Sequence, residues 1–506
     1  MQDADTPHAA PAPGGLQDLT ALIRADTPLV VVETADEART VALFRQTLRQ
    51  VWRAMFRWSI TEGLRRIDLD REDAAEGPAD VGSTLRAIHA AEQRGVYLLI
   101  DFAPYLDVAG TRRQLRDLIE RRASLPHVLV LLGAKVDLPP ELEPFAVRFR
   151  PRLPDLAALR ALVAEQADAY AREHGGKRVT TAGDAIERIA RNLQGLGDGD
   201  ARRIARQLVF ADGALDDDDL PRLAKLKFEL LNRSGHLHYE YDTARFADVA
   251  GAARAKRWIE QRRPAFTGDP PPGLDPPKGL LLLGVQGCGK SMLAKAVAGG
   301  FGVPLLRLDF GALYNKYHGQ TEENLRDALA SAEQLAPCVL WIDEIEKGLA
   351  ASGGSEDGGV SRRVLGTFLT WLAERTSRVF VVATANQVHD LPPELLRKGR
   401  FDEIFFVDLP KADARREIFA THLHRRGADP ARFDLAALAQ ASESFSGAEI
   451  EQAIVAALYA AHAADAPLSD AHLRDELAQT RPLSVVMREQ VDALRAWARE
   501  RTVAAD

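Results

Sequence analysis

Short apolar runs bounded by polar turns recur along the chain, separated by longer stretches whose apolar positions repeat every three or four residues. The first kind reads as buried strand and the second as amphipathic helix, and their alternation predicts a mainly parallel sheet assembled from strand–helix–strand units. One block opens near Gln17 and holds the strand-like runs PLVVVET (28–34), VYLLIDF (96–102) and HVLVLLG (127–133). A second opens near Phe246 and holds KGLLLLG (278–284), VPLLRLD (303–309), PCVLWIDE (337–344), RVFVVATAN (378–386) and EIFFVDLP (403–410). A mostly helical stretch follows each block. The expected division is a disordered tail over 1–16, an α/β domain over 17–153, a helical domain and linker over 154–240, a second α/β core over 241–410, and a helical lid with C-terminal helices over 411–506.

The two halves resemble each other. VYLLIDF matches VLWIDEI in pattern, and DLPPEL occurs in both halves, at 137–142 and 390–395, each time running into a strand closed by Leu-Pro. A shared hexapeptide in a shared setting points to an internal duplication.

Composition narrows the class. With 506 residues the chain is long enough for three or four folding units. Its net charge of −8 argues against a dedicated nucleic-acid binder, and Cys288 and Cys338 are too few for a disulfide framework. The first 15 residues carry acids and no apolar core, unlike a secretory leader, and no apolar run reaches the ~18 residues a membrane helix needs. A soluble, cytoplasmic protein is expected. The acidic run Asp216 to Asp219 reads as a solvated turn, and the Gly-rich ASGGSEDGG (351–359) as a flexible loop at the sheet edge.

The sharpest chemical signal is Gly284-Val-Gln-Gly287-Cys288-Gly289-Lys290-Ser291, set between the strand GLLLL and a helix that begins with Met292. Glycines at these places let successive backbone N–H groups converge on phosphates at a positive helix end. Lys290 would reach the β and γ phosphates of ATP, and the Ser291 hydroxyl would hold Mg²⁺. Cys288 inside the loop is read as a small filler rather than a redox sensor. A second signal is VLWI ending in Asp343-Glu344, with Asp343 placed for the metal and Glu344 for the water that attacks the γ phosphate.

These residues resemble the AAA family of ATPases, which implies a parallel sheet with helices on both faces and a helical lid. The resemblance makes Asn386, at the end of VVATAN, a polar sensor for the attacking water. It makes Arg397 and Arg400, in LLRKGRFD, arginine fingers aimed at a neighbouring subunit's nucleotide, and so implies a homo-oligomer, hexameric in this family. Val249 and Gly251, in FADVAG, match a segment that lies against adenine; His422, Gly447 and Ala448 match lid positions near the base and ribose. Tyr317, His318 and Gly319 match the aromatic pore loop with which threading members grip polypeptide. Arg362 and Arg363 are placed toward a neighbour's nucleotide or solvent. Within the family the chain resembles the Ycf-type group over nearly its whole length, through GVQGCGKS, PCVLWIDEIEK, VLGTFLTWLAE, VFVVATAN and LPPELLRKGRFDEIFFVDLP and, upstream, PLVVVET and FRWSITEGL (56–64).

The first half departs from the pattern. PLVVVETADEART offers Glu33 and Asp36 where glycines, Lys and Ser are needed, and Asp101-Phe102 lacks the second acid. A carboxylate beside a triphosphate repels it. The expected arrangement is therefore a degenerate AAA-like domain preceding one complete ATPase module. The expected activity is Mg²⁺-dependent ATP hydrolysis that drives remodelling or threading of a protein partner. The alternative is a nucleotide-gated regulator that binds its partner through the inactive half.

Overall fold

The computed structural model describes residues 15–34, 36–48, 50–68, 79–120, 125–216, 218–232, 235–241, 243–268, 272–313, 320–349, 358–397 and 399–506. The expected tail up to residue 14, the Gly-rich loop at 351–357 and the loop bearing Tyr317, His318 and Gly319 lie outside them, as does the side chain of Arg362. The chain forms two compact units, one from residues up to Val179 with Gln194–Gly213, the other from Thr180–Leu193 with Ala214–Asp506.

The first unit holds six strands: β1 (Leu29–Glu33), β2 (Ala54–Ser59), β3 (Gly63–Arg66), β4 (Gly95–Ile100), β5 (Val128–Gly133) and β6 (Ala146–Arg148). Their order is β3-β2-β4-β5-β1-β6, parallel throughout except for the β2–β3 hairpin. Side chains alternate across a strand, and here both faces are covered. Val30 and Val32 pack with Leu19 and Ile23 of the helix Leu16–Arg24 and with Val41 and Phe44 of Glu37–Leu48. Leu29 and Val31 pack on the opposite side with Leu85 and Ile88 of Val81–Ala90 and with Leu115 and Leu118 of Ala109–Glu120. Two-sided burial explains why β4 and β5 are continuous apolar runs. The helices Leu156–Glu173 and Asp198–Asp212 complete the unit, tied by Arg202–Glu165 at 2.7 Å and Arg206–Glu173 at 2.9 Å.

The second unit begins with β7 (Thr180–Thr181) and β8 (Ala214–Leu215), a short parallel ribbon. Asp216 and Asp219 close the turn that follows: the Asp219 carboxylate accepts from the Asp216 N–H at 3.0 Å, and Asp216 accepts from the Asp218 N–H at 2.9 Å. The main sheet comprises β9 (Leu237–Glu240), β10 (Gly279–Gly284), β11 (Leu305–Leu308), β12 (Cys338–Ile342), β13 (Val379–Ala385), β14 (Glu403–Val407) and β15 (Val503–Ala504). Their order is β15-β14-β10-β13-β12-β11-β9, with only β9 antiparallel to its neighbour. Leu280 and Leu282 face the helices Ala253–Thr267 and Lys290–Phe301; Leu281 and Leu283 face Gln320–Gln334 and Gly358–Glu374. Beyond the sheet, Ala412–Arg425, Leu435–Ala441, Gly447–Ala463 and Asp470–Gln479 enclose a core of their own around Phe419, Leu438, Ile450 and Leu473. The chain then returns through Arg488–Arg499 to the sheet edge as β15.

The two sheets share one plan. β6-β1-β5-β4-β2 corresponds strand for strand to β14-β10-β13-β12-β11, and each ends on an antiparallel edge strand. The two DLPPEL segments also fold alike: Leu142 N–H donates to the Pro139 carbonyl at 2.9 Å, as Leu395 N–H donates to the Pro392 carbonyl at 3.0 Å. Both leucines are buried. The edge strands arise differently, β3 from a hairpin after β2 and β9 from the segment preceding β10.

Candidate nucleotide-binding site

β10 runs buried to Gly284, where the chain passes so close to β14 that a Cβ would lie 2.0 Å from the Val407 carbonyl oxygen. Gly287 and Gly289 then adopt left-handed φ values of 78° and 84°, and Gly289 opens the helix Lys290–Phe301. Only glycine takes such angles without cost. Lys290 is buried, and its ammonium donates to the Gly284 and Val285 carbonyls at 2.8 and 2.9 Å. Burial pushes its pKa down, while Asp343, Glu344 and Glu346 among its neighbours oppose the shift. Burial pushes the Cys288 thiol up to about 12, which removes the thiolate a redox sensor needs.

At the end of β12, Asp343 Oδ1 accepts from the Ser291 hydroxyl at 3.3 Å and from the Thr384 hydroxyl at 2.5 Å. Thr384, fully buried on β13, also accepts from the Glu344 N–H at 3.0 Å. Glu344 sits at a left-handed φ of 49°, which costs a non-glycine residue roughly 1–3 kcal/mol unless its surroundings hold it. Its carboxylate accepts from Asn386 Nδ2 at 2.9 Å and pairs with Lys347. Asn386 is held at its other end by Glu346, which accepts from the Asn386 N–H at 2.8 Å. Glu346 is buried, and desolvation pushes its pKa up.

The lid closes over this floor. Ser446 caps the helix Gly447–Ala463 in a reciprocal box with Glu449, which orients the turn so that the Ala448 N–H donates to the Gly287 carbonyl at 3.1 Å. His422 points in from Ala412–Arg425, with Nδ1 3.5 Å from Glu451; burial lowers its pKa, which favours the neutral ring. On the remaining side Gly251 and Ala252 are both left-handed, and Val249 is tied by its carbonyl to Lys256. Together these parts enclose a cleft of about 610 Å³, within the range of small-molecule sites.

The cleft brings together Val249 and Gly251, the loop from Gly287 to Met292, Asp343 with Glu344, Asn386, His422, and Gly447 with Ala448. Gly284 does not line it; its carbonyl accepts from the Lys290 ammonium. Arg397 and Arg400 do not line it: Arg397 is exposed, and Arg400 donates to the Leu369 carbonyl at 2.8 Å. Sequence reading passed over Thr384 and Glu346, although a hydroxyl inside an apolar strand and a third acid after Asp343-Glu344 were available signals. It also passed over Ala505 and Asp506, which line the same cleft.

At the equivalent place in the first unit, acids stand where the second has its glycine loop. Glu33, at the end of β1, accepts from Arg148 at 3.0 Å and from the Val136 N–H at 3.2 Å. Asp36 turns its carboxylate onto the Arg39 N–H at the start of the next helix, 3.3 Å away.

A strand–loop–helix phosphate cradle, paired acids on the third parallel strand and a helical lid define a nucleotide-binding AAA module, and the chain belongs to the AAA family of ATPases. Residues 280–409 match the ATPase family associated with various cellular activities. Residues 16–150 match the SpoVK-like AAA ATPase N-terminal domain, and 157–234 the SpoVK-like second domain. Along nearly its whole length it is similar to the AAA domain-containing protein ycf46 of Pyropia yezoensis, 32% identical over 95% of this chain and 97% of that one. The ycf46 protein of Trieres chinensis is 33% identical over 95% and 96%. A partial likeness, 39% identical over 37% of this chain and 46% of the relative, links it to the proteasome-activating nucleotidase of Aeropyrum pernix. Among the described residues no helix is long and apolar enough to cross a membrane.

Proposed function

We propose that this chain is a Mg²⁺-dependent ATPase that cleaves the β–γ anhydride of ATP, assembles with copies of itself into a ring, and uses the cycle to remodel or thread a protein partner. The observation that carries the reading is the convergence of Ser291, Asp343, Glu344 and Asn386 beside the glycine loop. The oxygens of Ser291 and Asp343, 3.3 Å apart, are the hard donors a magnesium ion takes, and the bound ion would neutralise charge on the phosphate oxygens. Lys290 would exchange its two loop carbonyls for β and γ phosphate oxygens. Glu344 would take the proton of the attacking water as the γ phosphorus–oxygen bond to the β phosphate breaks, with Asn386 fixing the carboxylate's direction. The exposed Arg397 suits a role at a neighbour's nucleotide rather than its own.

Phosphate release under saturating Mg²⁺–ATP tests the site. Lys290→Ala and Glu344→Gln should each lower turnover by about a hundredfold or more, and wild-type turnover in either overturns the assignment. A second reading, a nucleotide-gated regulator, draws support from the first unit, where Glu33, paired with Arg148, stands in place of a glycine loop. Tyr317→Ala separates the two: a threading machine loses partner processing while it still hydrolyses ATP, and a regulator loses neither.

A further inference from the structure

The helix Ala253–Thr267 starts without a cap of its own. Its N-cap residue is Ala252, left-handed at φ 54°, with no side-chain acceptor to offer. The first N–H groups of a helix have no partner within it, and leaving such groups desolvated and unmet costs about 1–3 kcal/mol each. Here they are met from some 250 positions along the chain. The Ala505 carbonyl accepts from the Arg254 and Ala255 N–H groups at 2.9 and 3.0 Å, and Asp506 Oδ1 accepts from the Ala253 N–H at 3.0 Å. A carboxylate at this end also suits the positive pole of the helix.

The segment that provides these acceptors is itself anchored. β15 pairs with β14 through Phe405↔Val503 and Phe406↔Ala504, and the Ala505 N–H continues the ladder to the Phe406 carbonyl at 2.9 Å. Ala505 is buried in the same core as Ile259 and Phe266 of the capped helix. Upstream, Arg495 grips Asp408, the residue after β14, with Nε and a terminal nitrogen at 3.0 and 2.8 Å.

The capped end is also a wall of the cleft. Gly251 lines it and stands so close that a Cβ there would lie 3.1 Å from Asp506 Oδ2. A left-handed alanine such as Ala252 costs roughly 1–2 kcal/mol and keeps that shape only while its surroundings enforce it.

We propose that residues 503–506 cap this helix from a distance and thereby position the segment Val249–Ala252, so that nucleotide affinity and the docking of 503–506 are coupled. The proposal rests on the reading of the cleft as a nucleotide site. Coupling is reciprocal: bound nucleotide tightens the docking of 503–506 as much as docking tightens the nucleotide.

Titration with Mg²⁺–ADP measures it. Deleting residues 505–506 should raise the Kd for ADP about tenfold, and Asp506→Asn, which keeps an oxygen acceptor, should restore most of the affinity lost in Asp506→Ala. Wild-type ADP affinity in the deletion variant overturns the proposal. Hydrogen exchange tests the coupling without mutation: ADP should slow exchange at the Arg254 and Ala255 amides, and unchanged exchange at both counts against it. If the unmutated chain binds no ADP, the nucleotide reading of the cleft falls first, and the coupling with it.

Discussion

Two buried side chains, Thr384 and Glu346, hold Asp343, Glu344 and Asn386 in place. Thr384 accepts from the Glu344 N–H and donates to Asp343, so one hydroxyl fixes both the strained backbone of Glu344, the proposed proton acceptor, and the direction of Asp343, the proposed metal ligand. Thr384→Val keeps the shape and removes the hydroxyl; turnover should fall about tenfold or more with ADP affinity little changed, whereas Thr384→Ser should stay near wild type. Steady-state ATP hydrolysis beside ADP titration checks this, and an active Thr384→Val protein contradicts it. The glycines, Lys290, Ser291, Asp343 and Glu344 could be found in the sequence because a phosphate cradle needs particular residue types at particular spacings. Thr384 and Glu346 left only the weaker marks of a hydroxyl inside an apolar strand and a third acid, because they act through neighbours that tertiary contact supplies.

Among the elements, buried parallel strands were readable and edge strands were not. β10, β12 and β13 are continuous apolar runs because helices cover both faces. β2 has a mixed burial pattern, while β9 and β15 are short edge strands of four and two residues, so neither periodicity nor length marks them. At the end of the mostly helical stretch 411–506, β15 adds to the open edge that β14 offers. A buried charge shows the same dependence on packing. Lys227, on Asp219–Leu231, donates to the Asn192 carbonyl at 3.0 Å, and burial lowers its pKa to about 8. Between about pH 8 and 10.5 the unfolded chain holds a proton there that the folded chain has lost, so the contribution of Lys227 to folding stability should rise with pH across that window. At one pKa unit per 1.36 kcal/mol the rise is up to about 3 kcal/mol. Urea unfolding should show the change in stability from pH 7 to pH 10 to be more favourable in the wild type than in Lys227→Met; equal pH dependence in both rejects it.

At the scale of the whole molecule the chain carries one sheet plan twice, with matching strand order and the same DLPPEL turn, and equips the two copies differently. The duplication was visible in the sequence through that hexapeptide and the matching strand patterns. The first copy's lack of a phosphate cradle was visible in the sequence as missing glycines, Lys and Ser with Glu33 and Asp36 in their place; the structure adds that Glu33 pairs with Arg148 and that Asp36 accepts from the Arg39 N–H. The central claim is therefore a single nucleotide site per chain, in the second half. Counting Mg²⁺–ADP bound at saturation tests it most directly. The account predicts one ADP per chain, lost in Lys290→Ala and kept when Glu33 and Asp36 are replaced by alanine. Two ADP per chain, or one that survives Lys290→Ala, would contradict it.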